Sequence, residues 1–218
     1  MAVVTGLAAQ PLAVIAQGAK KTGKPEGEIS PVEDLMREHG VLSRALLIYD
    51  EIVRRIEGNK EFSPDALTGT VQLIRRFVED YHEKLEENYL FPRFEKAGKL
   101  VDLVKVLLKQ HQAGRRLTAQ ILGIHSKSLT PEEQSRLKVH LRTFCLMYRP
   151  HKSREDTVLF PAFHTIVSPK EFDSLGESFE DKEVKLFGEG GFEKIVDEVA
   201  GIEKKLGIFE LSRFTPRI

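Results

Sequence analysis

The sequence predicts an all-α fold: an up-down-up-down four-helix bundle with one or two extra C-terminal helices. Three observations lead there. Apolar residues recur with helical period after each of several capping-residue–proline pairs. The helices so bounded are long and their connections short, which favours antiparallel neighbours. No stretch alternates apolar and polar residues convincingly, as a half-buried strand would.

Residues 1–29 read as a flexible tail or as the remnant of an export signal. Residues 2–18 are small and apolar but contain Gly6 and Pro11, too short and broken a run for a membrane span. They are similar to the apolar part and small-residue end of an export signal, without the positive residues that should precede it. The compartment therefore stays open: cytoplasmic, or periplasmic if the run is a truncated signal. Lys20 to Ser30 has linker composition.

The bundle is expected over residues 30–166. Ser30-Pro31 opens a first helix over 31–57, in which Leu42, Leu46, Val53 and Ile56 recur at steps of three, four and seven; Gly58-Asn59 ends it. Ser63-Pro64 opens the second, 64–96. A third follows over 99–126. Thr130-Pro131, with Glu133 completing a capping box, opens the fourth, 131–166. Ser168-Pro169 then begins a C-terminal extension, 167–218, with helices over 169–187 and 191–206 and a stop at Gly207. Its glycine-rich stretch does not match a phosphate-binding loop, since no Gly-Lys-Ser/Thr end and no preceding strand accompany it. A packing or dimer-forming helix is the reading, so the chain is a monomer or a homodimer.

Composition narrows the function classes. Acidic and basic side chains number 33 each in 218 residues, so no strongly basic nucleic-acid surface is expected. Cys145 is the only cysteine, which excludes an internal disulfide and any zinc-thiolate or iron-sulfur site. It lies in an apolar run and reads as a buried, inert thiol.

The most informative feature is an internal repeat. Residues 82–94, HEKLEENYLFPRF, and 151–163, HKSREDTVLFPAF, both fit His-x-x-x-Glu-acidic-x-x-Leu-Phe-Pro-x-Phe. Each copy is preceded by a lone histidine on the helix before: His39 in Arg-Glu-His-Gly, 43 residues ahead of His82, and His111 in Lys-Gln-His-Gln, 40 ahead of His151. Residues four apart on a helix share a face. His82 and Glu86 therefore point together, as do His151 and Glu155, and two helix pairs packed face to face would gather four imidazoles and two carboxylates. Imidazole suits iron, zinc or copper, and carboxylates can bridge two cations. Leu35, Val78, Leu90, Leu107 and Leu159 nearby predict burial, where an unpaired carboxylate costs several kcal/mol unless neutralised.

His-x-x-x-Glu alone is commonplace as a solvent-facing pair; its repetition in one apolar context separates a metal site from that reading. His125 lies near a helix end, His140 about 16 Å along the axis from His151, and His164 past Pro161, so these three are left out. Tyr89, three residues after Glu86, is placed either to face the centre and hydrogen-bond a bound oxygen species or to serve as a core or boundary aromatic. Pro150 should loosen the backbone bond to Leu146 and bend the fourth helix.

The motifs DLMREHG (34–40), YHEKLEENYLFP (81–92), KQHQAG (109–114) and YRPHKSREDTVLFP (148–161) together resemble the hemerythrin-like family, the HHE cation-binding domain, over residues 30–166. The resemblance implies two iron ions, oxo- or hydroxo-bridged, with His39 and His82 on one, His111 and His151 on the other, and Glu86 and Glu155 bridging. The oxygen-carrying members supply five histidines and an aspartate bridge; this chain offers four histidines and two glutamates. That set is similar to members linked to peroxide, nitric oxide or iron-cluster repair, although the cysteine-containing N-terminal module of the repair proteins has no counterpart here. The implied ligand is a small diatomic or peroxide molecule, with an unidentified electron donor. Catalytic reduction, reversible carriage or sensing, and iron handling all remain open, with a structural zinc bundle as the fourth reading.

Overall fold

The computed structural model describes residues 29–124 and 129–216. The readings of residues 1–28 and of His125 fall outside them. Six helices make up the described chain: α1 (Pro31–Glu57), α2 (64–97), α3 (Val101–Leu122), α4 (131–163), α5 (Pro169–Phe187) and α6 (Gly191–Leu206). A short 3-10 turn, Leu211–Phe214, follows, and no strand forms among the described residues.

Local chemistry sets the helix ends. Ser30 and Ser168 accept hydrogen bonds from the Glu33 and Glu171 N–H groups, and Thr130 and Glu133 form the full capping box. Ser63 precedes Pro64 as expected, but its side chain makes no capping bond. After α1 the left-handed residue is Asn59, at φ 50°, and not Gly58. Gly98, at φ 64°, ends α2, and the chain turns into α3 within three residues. Gly123 stops α3 short of the expected end at 126.

The four bundle helices close a square in which α1 packs on α4, α4 on α3, α3 on α2 and α2 on α1. Its core is rich in aromatics, with Tyr49, Phe77, Phe94, Phe144, Phe160 and Phe163 fully buried. The extension covers the α1–α2 side. α6 buries Ile195, Val199, Ile202 and Leu206 at helical spacing against α1 and the start of α2. Arg44 of α1 clamps Glu203 of α6 through two bonds, of 3.0 and 2.6 Å. Cys145 is buried as expected, and burial pushes its thiol up to about 12. Among the described residues no helix is long and apolar enough to cross a membrane.

Two helices are not regular. Both α2 and α4 widen into π turns, at Glu86–Leu90 and Glu155–Leu159, and α2 has a further one at Ile74–His82. The Phe91 N–H bonds to the Glu86 carbonyl, and Phe160 repeats this with Glu155, both five residues back. Pro92 and Pro161 follow at once. A proline offers no N–H and crowds the carbonyl four residues before it; the wide turn is how the helix passes that residue without breaking. Pro150 is handled differently. It lies on the exposed face of α4, as does Leu146, so water can take the carbonyl bond that the proline gives up, and the helix continues.

Candidate metal centre

Each bundle helix brings one part of the repeat inward. α1 supplies His39, α2 His82 and Glu86, α3 His111, and α4 His151 and Glu155. All six are buried, none more than 4% exposed. The imidazoles meet through their Nε2 atoms: His39 lies 3.1 Å from His82, and His111 3.2 Å from His151. Glu155 Oε2 is 3.4 Å from His39 Nε2 and 3.1 Å from His151 Nε2. Glu86 Oε2 is 3.4 Å from His111 Nε2 and 3.9 Å from His82 Nε2. Each carboxylate therefore stands between the two histidine pairs.

A metal pair fits these residues on two grounds. Donors about 2.1 Å from a shared cation sit roughly 3.0–3.4 Å apart, which is the spacing of most of these atoms. Both oxygens of Glu86 and both of Glu155 are buried without a hydrogen-bond partner. Bare buried carboxylates of this kind cost several kcal/mol each, and a pair of cations would remove that cost. Two clusters, Glu86-His111-His151-Glu155 and His39-His82-Glu86, have the closeness that cation binding requires.

The outward Nδ1 atoms reveal a second ring. His39 Nδ1 donates to Asp156 at 2.7 Å and His111 Nδ1 to Glu87 at 3.1 Å. His82 donates to Glu38 at 2.6 Å and His151 to Gln110 Oε1 at 2.9 Å. Such acceptors fix the tautomer and turn the Nε2 lone pair inward. The pattern is crossed: the lone histidine of each half is held by the acidic residue that follows the glutamate of the other half. It also stacks on that half's phenylalanine, His39 on Phe160 and His111 on Phe91, both at 5.5 Å. The sequence contained these residues, as the acidic position of the repeat and as the neighbours of the lone histidines, but nothing in it said which helix they would face.

The two halves differ in one acceptor, Glu38 against Gln110. The His39–His82 position is thus backed by two carboxylates. The His111–His151 position is backed by one, Glu87, which also meets Arg115 at 2.8 Å. Electrostatics follow. Against the penalty of burial, the bond to Asp156 and the nearby Glu155 carboxylate raise His39 to about 9, while burial and the neighbouring His39 charge hold His82 well below its usual range. Burial takes His111 down to about 4 despite Glu87. Burial and the facing Glu155 push Glu86 up; the histidines around Glu155 hold it down in spite of burial.

A further polar network, unforeseen from sequence, lies behind α2 and α3. Tyr148 donates to Glu83 at 2.6 Å, Arg115 reaches Glu83 at 2.7 Å, and Thr118 donates to Glu79. Burial raises Glu83 to about 8. Gly114, in the KQHQAG motif, makes room for the Tyr148 hydroxyl, which a Cβ there would overlap.

Tyr89 requires correction. Its ring packs edge-on against Phe179 of α5 at 5.5 Å, beneath Lys182, at a surface cavity and away from the metal cluster. It belongs to the boundary-aromatic reading. The π turn from Glu86 explains the miss, since each residue there advances around the axis less than α spacing assumes. His140 and His164 lie outside the cluster, His164 exposed with its ring tilted against Phe172.

Comparison with known proteins agrees with this geometry. The model of the hemerythrin HHE cation-binding domain matches residues 30–164. Uncharacterized proteins of Mycobacterium bovis and of two strains of Mycobacterium tuberculosis are each 48% identical over 197 residues, covering 89% of this chain and 77% of theirs. No solved structure gives a significant match. With a family match across the bundle and with histidines and glutamates gathered as a cation site requires, the chain belongs to the hemerythrin HHE cation-binding domain family.

Proposed function

We propose that this chain holds two iron ions and uses them to reduce a small oxidant: peroxide, oxygen or nitric oxide. The observation that carries the reading is the pair of partnerless buried glutamates, Glu86 and Glu155, each between two imidazole pairs. Glu86 and Glu155 could serve both cations, and with two histidines for each the protein would supply fewer than six ligands per ion; open positions separate a reactive metal from a structural one. Iron would supply the electrons. The protein would do the rest.

Asp156, Glu38, Glu87 and Gln110 hold the four imidazoles in one tautomer, so the ligand atoms are set before any oxidant arrives. Phe91, Phe160, Leu90 and Leu159 wall the site and exclude bulk water. A centre buried to this degree favours small ligands over large substrates. Glu86, whose carboxyl is pushed upward by burial and by Glu155, can hold a proton when a cation leaves.

Metal analysis and visible spectroscopy of the purified protein, with and without peroxide, test the reading. Two iron ions per chain and a spectrum that changes as peroxide is consumed are expected. Another metal, or a spectrum unmoved by peroxide, oxygen and nitric oxide, would overturn it. A reversible band without turnover would assign the chain to carriage or sensing instead.

A further inference from the structure

Where α2 meets α5 the surface holds a groove of about 210 Å³, walled by Tyr81, Leu85 and Tyr89 of α2 and by Leu186 of α5. Tyr81 and Leu85 are buried and form its floor, while Leu186 is 58% exposed at its lip. Lys84 of α2 and Lys182 and Lys185 of α5 ring this apolar wall, and Asp80 is the one acidic side chain on it among the described residues. Lys182, Lys185 and Leu186 fall at i, i+3 and i+4, so they share a face of α5. Lys84 bonds Glu87 at 2.5 Å. Lys182 lies over the Tyr89 ring at 5.3 Å, and neither it nor Lys185 meets a carboxylate among the described residues.

Surface lysines and single exposed leucines are ordinary. Two features set this groove apart. It leads to the metal centre: the Tyr81 hydroxyl donates to Glu38, whose Oε2 accepts His82 Nδ1 at 2.6 Å. One phenol and one carboxylate thus join the floor of the groove to a ligand imidazole, and Tyr81 and Leu85 directly precede His82 and Glu86 in the chain. Size and charge then select the occupant. Pockets for small molecules run about 300–1,000 Å³; this groove is smaller and takes a side chain from the surface of a partner. Lysines without counter-charge favour an acidic partner. The acidic cavity on the other side of α5, with Asp173, Glu177 and Glu180, repels the same partner and so sets its orientation.

We propose that this groove is the docking site of an acidic protein that carries one electron at a time, and that its electron passes by Tyr81 and Glu38 to the His39–His82 position. The proposal rests on the function above, which needs a donor. Reduction of one peroxide to two waters consumes two electrons and two protons. Two donor molecules are therefore each oxidised by one electron per turnover, and solvent supplies the protons. Interfaces of electron-transfer partners are small and transient, so charge steering, more than buried area, sets the rate of encounter. Leu186 and the Tyr89 ring supply the apolar contact, and Lys182 and Lys185 supply the attraction.

The probe is a plant-type [2Fe–2S] ferredoxin, an acidic one-electron carrier. Its binding to the purified full chain, whatever metal that chain holds, is read by fluorescence anisotropy of labelled ferredoxin. Electron transfer is read by stopped flow, as bleaching of the ferric absorption of iron-loaded protein mixed with reduced ferredoxin. Reversing the rim charge with Lys182→Glu and Lys185→Glu together should weaken binding at least ~10-fold, and added salt should weaken wild-type binding in the same way. Dithionite, which needs no docking surface, should reduce the charge-reversed and wild-type proteins at equal rates. Tyr81→Phe keeps the floor of the groove but removes the bond to Glu38; it should bind ferredoxin as wild type does and accept electrons several-fold more slowly. Wild type that does not bind ferredoxin, or binds it no better than the charge-reversed variant, overturns the docking site. Tighter binding of basic cytochrome c, or of a single-stranded oligonucleotide, overturns it as well. An unchanged transfer rate in Tyr81→Phe overturns the route. The binding arm needs no iron, so failure of the proposed function would leave it readable, and loaded protein that dithionite cannot reduce would count against that function alone.

Discussion

Stripping the metal should make the stability of this chain fall steeply as pH rises. Burial lifts Glu38 and Glu83 from 4.5 to about 8 in the folded chain. A carboxyl raised in this way binds its proton more tightly folded than unfolded. Its stabilising effect is complete below pH 4.5 and is lost as pH climbs to about 8. His39, raised from 6.5 to about 9, acts in the same direction: its contribution is full below 6.5 and disappears through 9. His82 and His111 are lowered, so both are neutral in either state above pH 6.5 and drop out of that window. Between pH 6.5 and 8 each of the three raised groups gives up roughly 2 kcal/mol, at about 1.4 kcal/mol per group and pH unit. The sum, about 6 kcal/mol, corresponds to a drop on the order of 10–20 °C for a chain of this size. Calorimetry of chelator-treated protein at the two pH values measures it. Loaded protein should lose about a third less, because His39 is the one metal ligand among the three groups and a cation would hold it unprotonated throughout. A stripped chain equally stable, or more stable, at pH 8 would refute the account of its buried carboxyls.

Three further outcomes are expected. Glu86→Ala and Glu155→Ala should each reduce metal content to one ion per chain or fewer, read by elemental analysis, because each carboxylate serves both positions. Gly114→Ala should destabilise the fold by about 1–3 kcal/mol through overlap with Tyr148, and adding Tyr148→Phe should recover part of that in denaturant melts. Stepwise metal titration should fill the His39–His82 position first. There Glu38→Gln should weaken binding by ~10-fold or more, and Gln110→Glu should strengthen the second step, narrowing the gap between them.

The sequence made some of this legible and concealed the rest, for identifiable reasons. Helix starts were readable because proline and capping residues act locally, as at Ser30, Thr130 and Ser168. The six residues brought to the centre were readable because the repeat doubled a pattern that is weak when single. Asp156 and Glu87 stood inside that repeat, yet their bonds run to the opposite half, and local spacing carries no record of which helices become neighbours. Tyr89 was misplaced because α-helical spacing was extended across a π turn that proline imposes three residues later. The amphipathic face of α6 could be read, but not that Glu203 would meet Arg44, 159 residues away in sequence.

The crossed bracing of His39 and His111 bears on how the molecule comes apart. Neither hairpin contains a finished binding position, for each borrows an oxygen donor and an imidazole support from its opposite number. Peeling one hairpin away would spoil both positions in a single event. Unfolding should therefore release both ions in one step: in a denaturant melt, metal release and loss of helical signal should coincide, with no partly unfolded form that keeps one ion.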